Sequence, residues 1–164
     1  MIKKLTLCGI LSAVAIAISS LERFIPVQAI IPLPGFKLGI ANCVLIVAMY
    51  FADFKTTLAV LLTKCIVVCL LFSGFSSFLY SLTGGLLAVV CMWFLFRYKK
   101  IFSVYGISVA GAAVFNLGQI TVAALMLGSF YIYGYLPYLL VASVFTGLLT
   151  GLISDTIIRN IVRR

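Results

Sequence analysis

Residues 56–73 read TTLAVLLTKCIVVCLLFS, an apolar run with a single charge, Lys64, near its middle. An α-helix needs about 20 apolar residues, at ~1.5 Å each, to cross the roughly 30 Å hydrocarbon core of a bilayer. The stretch has the length and composition of a membrane span, and Lys64 is its anomaly. A lysine near the centre of a span costs roughly 2.5–3.5 kcal/mol on insertion scales unless it faces a cavity or a partner.

The pattern repeats on both sides. Six candidate spans lie at about 4–21, 37–52, 56–73, 77–96, 103–128 and 135–158. The second is short, so part of its lead-in is expected to be non-helical. The composition agrees: 65% of the 164 residues are hydrophobic and 9% are charged, against roughly 45–50% apolar and about 25% charged in a soluble domain. A water-soluble enzyme domain is excluded. The expected architecture is all-α, one transmembrane domain over residues 1–164 with six helices.

Chemistry is limited by the same counts. There are three carboxylates, Glu22, Asp53 and Asp155, and no histidine. Histidine-based triads, His-Glu-x-x-His zinc sites and aspartate-rich magnesium sites are ruled out, and no cofactor or metal is expected. The net charge of +9 does not indicate nucleic-acid binding, because the bases sit singly or in small groups between apolar runs rather than on one basic face. Cys8, Cys43, Cys65, Cys69 and Cys91 lie in apolar stretches without Cys-x-x-Cys spacing and read as small packing residues.

Orientation follows from the bases. With the amino terminus inside, nine of the twelve fall on the cytoplasmic side: Lys3, Lys4, Lys55, Arg97, Lys99, Lys100, Arg159, Arg163 and Arg164. Arg23 and Lys37 fall outside. This predicts six spans with both termini cytoplasmic. Tyr131, Tyr133, Tyr135 and Tyr138 fit an aromatic belt at the outer interface. Lys3-Lys4 before an apolar run resembles a signal peptide, but no small-x-small cleavage site precedes Glu22, so the helix is read as retained.

Two strips of small residues stand out. Gly9, Ala13 and Ala17 are spaced by four on the first helix, and Ser143, Gly147 and Gly151 on the sixth. Such strips let helix backbones approach closely in lipid. The second strip reads as packing inside the bundle. The first has two readings, internal packing or docking to a separate membrane partner.

Polar positions converge at one depth. The connection 24–36 holds three prolines and no charge, and reads as a cap on the bundle or a lid over a cavity. Lys37 follows it, with Asn42 five residues deeper. Asn116 and Gln119 share a face of the fifth helix, and Ser81, Thr83, Ser143 and Thr146 lie in the same outer half. Asp155 is too near the inner end of its helix to pair with Lys64. An inward Lys64 is expected to meet carbonyls, the Asn116/Gln119 face or an anionic group of a ligand. The candidate ligand-binding set is therefore Lys37, Asn42, Lys64, Asn116 and Gln119. The apolar connection and the two lysines suggest an amphiphile with an anionic group.

Pro34-Gly35-Phe36-Lys37-Leu38-Gly39-Ile40-Ala41-Asn42 resembles the Pro-Gly-x-Lys-Leu-Gly-x-Ala-Asn signature of the Gx transporter family, also called heptaprenyl diphosphate synthase component I. Ser81–Leu86, Gly106–Gln119 and Thr146–Gly151 resemble further blocks of that family. Lys64 departs from its pattern, in which arginine is commoner; the charge is kept but the guanidinium fork is lost. The family is similar to the S components of energy-coupling factor (ECF) importers. That resemblance implies a six-helix subunit in the bacterial plasma membrane that binds a vitamin-like, isoprenoid or quinone-precursor ligand beneath the first connection. It implies a transmembrane coupling protein, docked on the Ala13/Ala17 strip, and two ABC ATPases as partners. The chain carries no Gly-x-x-x-x-Gly-Lys-[Ser/Thr] motif of its own. The alternative is a non-catalytic accessory subunit of a heptaprenyl diphosphate synthase, since three scattered carboxylates cannot hold Mg²⁺ against a diphosphate.

Overall fold

The computed structural model describes residues 2–22, 24, 37–72, 74–98 and 101–162. These residues form helices and turns, and no strand occurs among them. The helices are α1 (Ile2–Glu22), α2 (Asn42–Phe51), α3 (Phe54–Phe72), α4 (Phe75–Arg97), α5 (Val104–Leu127) and α6 (Leu136–Val162), with a 3-10 helix at Phe130–Tyr135 leading into α6. Five stretches among the described residues are long and apolar enough to cross a membrane: Lys4–Glu22, Phe54–Phe72, Phe75–Arg97, Val104–Leu127 and Phe130–Val162. They match the expected spans apart from the second. Arg23, most of the 24–36 connection, Lys99, Lys100, Arg163, Arg164 and the Lys3 side chain lie outside the described residues.

The second span differs from its expected extent, 37–52. Only ten residues, Asn42–Phe51, are helical, about 15 Å of rise and half a hydrocarbon core. Lys37–Gly39 run without regular structure, and the helix begins through tight turns in which Asn42, Cys43 and Val44 donate to the carbonyls of Gly39, Ile40 and Ala41. Its sequence is apolar all round, and such a helix is stable only when enclosed. Asn42 through Met49 are indeed all buried, and α2 touches each of the other five helices.

At the basal end of the bundle, the Lys4 ammonium lies 2.8 Å from Asp53, which sits in the turn between α2 and α3. Asp155 pairs with Arg159 at 2.9 Å and accepts from the Tyr105 hydroxyl. The exposed Phe130, Tyr131 and Tyr138 gather at the opposite, apical end, as an interfacial aromatic group would.

Small residues set the closest crossings. A Cβ on Gly118 would stand 2.7 Å from the Gly84 Cα, so α4 and α5 meet backbone to backbone. On α6, a Cβ on Gly147 would stand 2.5 Å from the Val109 Cα, and one on Gly151 3.2 Å from the Tyr105 Cα. The Ser143 strip is therefore packing against α5. The Gly9 strip behaves differently: Gly9, Ala13 and Ala17 are all exposed, and a Cβ on Gly9 would meet nothing within 4 Å.

Candidate functional site

The site grows from the non-helical backbone ahead of α2. Backbone at membrane depth is tolerated outside helices only where the protein supplies its hydrogen bonds. Gln119, fully buried on α5, does this for Lys37. Its Oε1 accepts the Lys37 N–H at 3.0 Å, and its Nε2 donates to the Lys37 carbonyl at 2.8 Å. The side-chain amide thus stands in for a neighbouring strand. Asn116, one turn below, donates to the Leu139 carbonyl at 3.0 Å and so joins α5 to α6; its Oδ1 lies 3.5 Å from the Gln119 Nε2.

Gly39 turns the chain into α2. Its φ of +78° is costly for a residue with a side chain, and a Cβ there would lie 3.0 Å from both the Phe115 ring and the Asn42 amide. The Gly39 N–H donates to the carboxylate of Glu22, and the Ile40 N–H supports the same group. Glu22 closes α1 and is only 6% exposed.

Lys64 is 3% exposed, inward on α3 as its span required. Among the described residues its ammonium makes no hydrogen bond and no ion pair. Lys37 is half-buried. Asn42 is buried at the start of α2, and its Oδ1 has no hydrogen-bond partner among the described residues.

The sequence-derived set thus divides. Asn42 and Lys64 bring unspent hydrogen-bonding capacity to the interior. Asn116 and Gln119 lie above them with their amides engaged to backbone, and Lys37 is held through its main chain. Of the other outer-half polar residues, Ser81 accepts from Cys65 at 3.6 Å, while Ser143 and Thr146 bond to carbonyls of their own helix.

Glu22 is the site residue the sequence reading missed. A signal was present: Ser12, Ala15, Ser19 and Glu22 fall at i, i+3, i+7 and i+10, one face of a helix, and all four are buried. Asp53 is engaged by Lys4 and Asp155 by Arg159, so Glu22 is the carboxylate that has no ion pair among the described residues.

Comparison with known proteins bears on this arrangement. Neither the curated proteins nor the solved structures contain a match. The family model for heptaprenyl diphosphate synthase component I matches residues 11–157, a span that takes in Glu22, the Lys37–Asn42 lead-in, Lys64 and the Asn116–Gln119 clamp. Since that match covers nearly the whole chain, the protein belongs to the heptaprenyl diphosphate synthase component I family, the one its motifs resemble.

Proposed function

We propose that this multi-pass membrane protein is the substrate-binding subunit of an ECF-type ABC importer in the bacterial plasma membrane, with both termini cytoplasmic. It is not an enzyme. It captures a small vitamin-like or isoprenoid/quinone-precursor ligand from the outer side. The observation that carries this reading is the interrupted, enclosed second helix. Broken helices at membrane depth place polar groups where a transported ligand can meet them, and here the buried Asn42 stands at the break with an unpartnered Oδ1, while Lys64 is buried on the adjoining α3. Lys37, Asn116 and Gln119 form the wall above them. The outward face of Gly9, Ala13 and Ala17 supports docking of a transmembrane coupling protein, which would link the subunit to two ABC ATPases.

The family's name favours a second reading, a non-catalytic membrane partner of a soluble prenyl diphosphate synthase component. Affinity purification of the tagged full chain from its native membrane separates the two. Two ABC ATPases and a membrane coupling protein are expected to co-purify in fixed ratio. A soluble prenyl synthase subunit in their place would overturn the importer reading and establish the second.

A further inference from the structure

Trp93 is the chain's one tryptophan, and it stands near the basal end of α4. Its ring packs against Phe54, the first residue of α3, with centroids 5.0 Å apart. On it lies the Arg97 guanidinium, one helical turn further along, 4.0 Å from the ring centroid. Lys55 follows Phe54 directly. Two exposed bases, on helices that touch, thus adjoin one aromatic pair.

The charge on these two bases is unspent. Lys4 and Arg159 at the same end are bonded to Asp53 and Asp155, at 2.8 and 2.9 Å. The third carboxylate of the chain, Glu22, is buried at the far end of α1. No acid is left over for Lys55 or Arg97, and neither side chain makes an ion pair or a hydrogen bond among the described residues. In the sequence, Lys99 and Lys100 add two more bases just beyond Arg97. The basal end therefore carries positive charge that the chain's own carboxylates do not neutralise, and its counter-anion has to come from outside the chain.

The arrangement suits a phosphate at the surface of a bilayer. A guanidinium stacked on an indole uses its flat face and keeps its N–H edge for an acceptor. That edge is a planar fork that matches two phosphate oxygens. Tryptophan itself favours the headgroup level. Beside Arg97, α4 presents Leu87, Val90 and Phe94, all exposed. Their spacing of i, i+3 and i+7 makes them one apolar stripe that leads from the charged end into the depth of the bundle. Basic positions between helices next to apolar surface are where anionic lipids are held.

We propose that Lys55, Trp93 and Arg97 form a headgroup site, at the basal ends of α3 and α4, for one anionic phospholipid whose acyl chains lie along the Leu87, Val90 and Phe94 stripe. This site is separate from the Asn42 region and depends on neither reading of what the subunit assembles with.

Because Trp93 is the single tryptophan, its fluorescence reports the site directly. The full chain is reconstituted in phosphatidylcholine vesicles, and a rising fraction of the lipid is replaced by phosphatidylglycerol or phosphatidylcholine with brominated acyl chains, which quench a neighbouring indole. The brominated anionic lipid is expected to compete for the position beside Trp93 at least about fivefold better than the neutral one, the preference that one or two bases near a lipid phosphate supply. Lys55→Gln and Arg97→Gln each reduce that preference at least about twofold, and the two together bring it to parity. Arg97→Lys keeps the charge and loses the fork, and falls between Arg97→Gln and the parent. Arg159→Gln, which removes a base already paired with an acid, changes the preference by less than about 1.5-fold. Equal quenching by the two lipids in the parent chain overturns the site and leaves an ordinary bilayer contact. Quenching by neither lipid overturns it too, because another protein then covers this face. An equal loss of preference in Arg159→Gln and Arg97→Gln also overturns it, in favour of a diffuse basic surface.

Discussion

Replacing Gln119 with leucine tests the interrupted helix most directly. Leucine is close in volume and suits a buried position on α5, so little cavity is created. The loss falls on Lys37, whose N–H and carbonyl both give up a partner. A buried backbone group left unsatisfied costs about 1–3 kcal/mol. Lys37 is half-buried, and water at the apical end can recover part of that, so Gln119→Leu should lower stability by about 2–4 kcal/mol. Gln119→Asn keeps both the donor and the acceptor on a side chain one methylene shorter, and should fall between leucine and the parent. The assay is reversible unfolding in mixed micelles of rising SDS fraction, followed by far-ultraviolet circular dichroism. Limited proteolysis near residue 37 should accelerate in the same order. A leucine variant within about 0.5 kcal/mol of the parent, with unchanged proteolysis, would show that the Lys37 backbone does not depend on Gln119 and would refute the reasoning.

Other consequences follow from the same packing. Lys64→Met removes a buried ammonium that has no ion pair among the described residues, so it should change stability by less than about 0.5 kcal/mol in the same SDS titration; a loss of about 2 kcal/mol or more would show that the ammonium has an internal partner. Ala13→Leu/Ala17→Leu adds bulk to an exposed face, so thermal stability should stay within about 0.5 kcal/mol while the co-purifying coupling protein is lost; intact assembly would remove the strip from the docking surface. For orientation, Lys55→Cys should resist an impermeant maleimide in intact cells whereas Tyr131→Cys is labelled, both in a chain without native cysteines; equal labelling would contradict cytoplasmic termini.

Local composition was enough to determine the membrane-helical class and the positions of five long spans. Apolar run length against bilayer thickness is a one-dimensional property, carried whole by stretches such as 56–73 and 103–128. The inward orientation of Lys64 was legible for the same reason, since hydrocarbon leaves a central ammonium few other places. Where the backbone leaves the helix was legible only in outline: the second span was visibly short, while its start at Asn42 depended on Gly39 adopting positive φ with the Lys37 peptide held sideways by Gln119. Small-residue strips show how the remainder escapes a sequence. Gly9/Ala13/Ala17 and Ser143/Gly147/Gly151 have the same spacing, yet one faces out and the other lies against Val109 and Tyr105. Spacing determines which residues share a face, and only the surrounding helices decide where that face points. Glu22 and Gly39 are 17 positions apart and bond because α1 packs on α2. Gln119 and Lys37 are 82 apart and bond because α2 is enclosed by the other five helices. Both relations depend on distances in space, which a linear sequence does not contain.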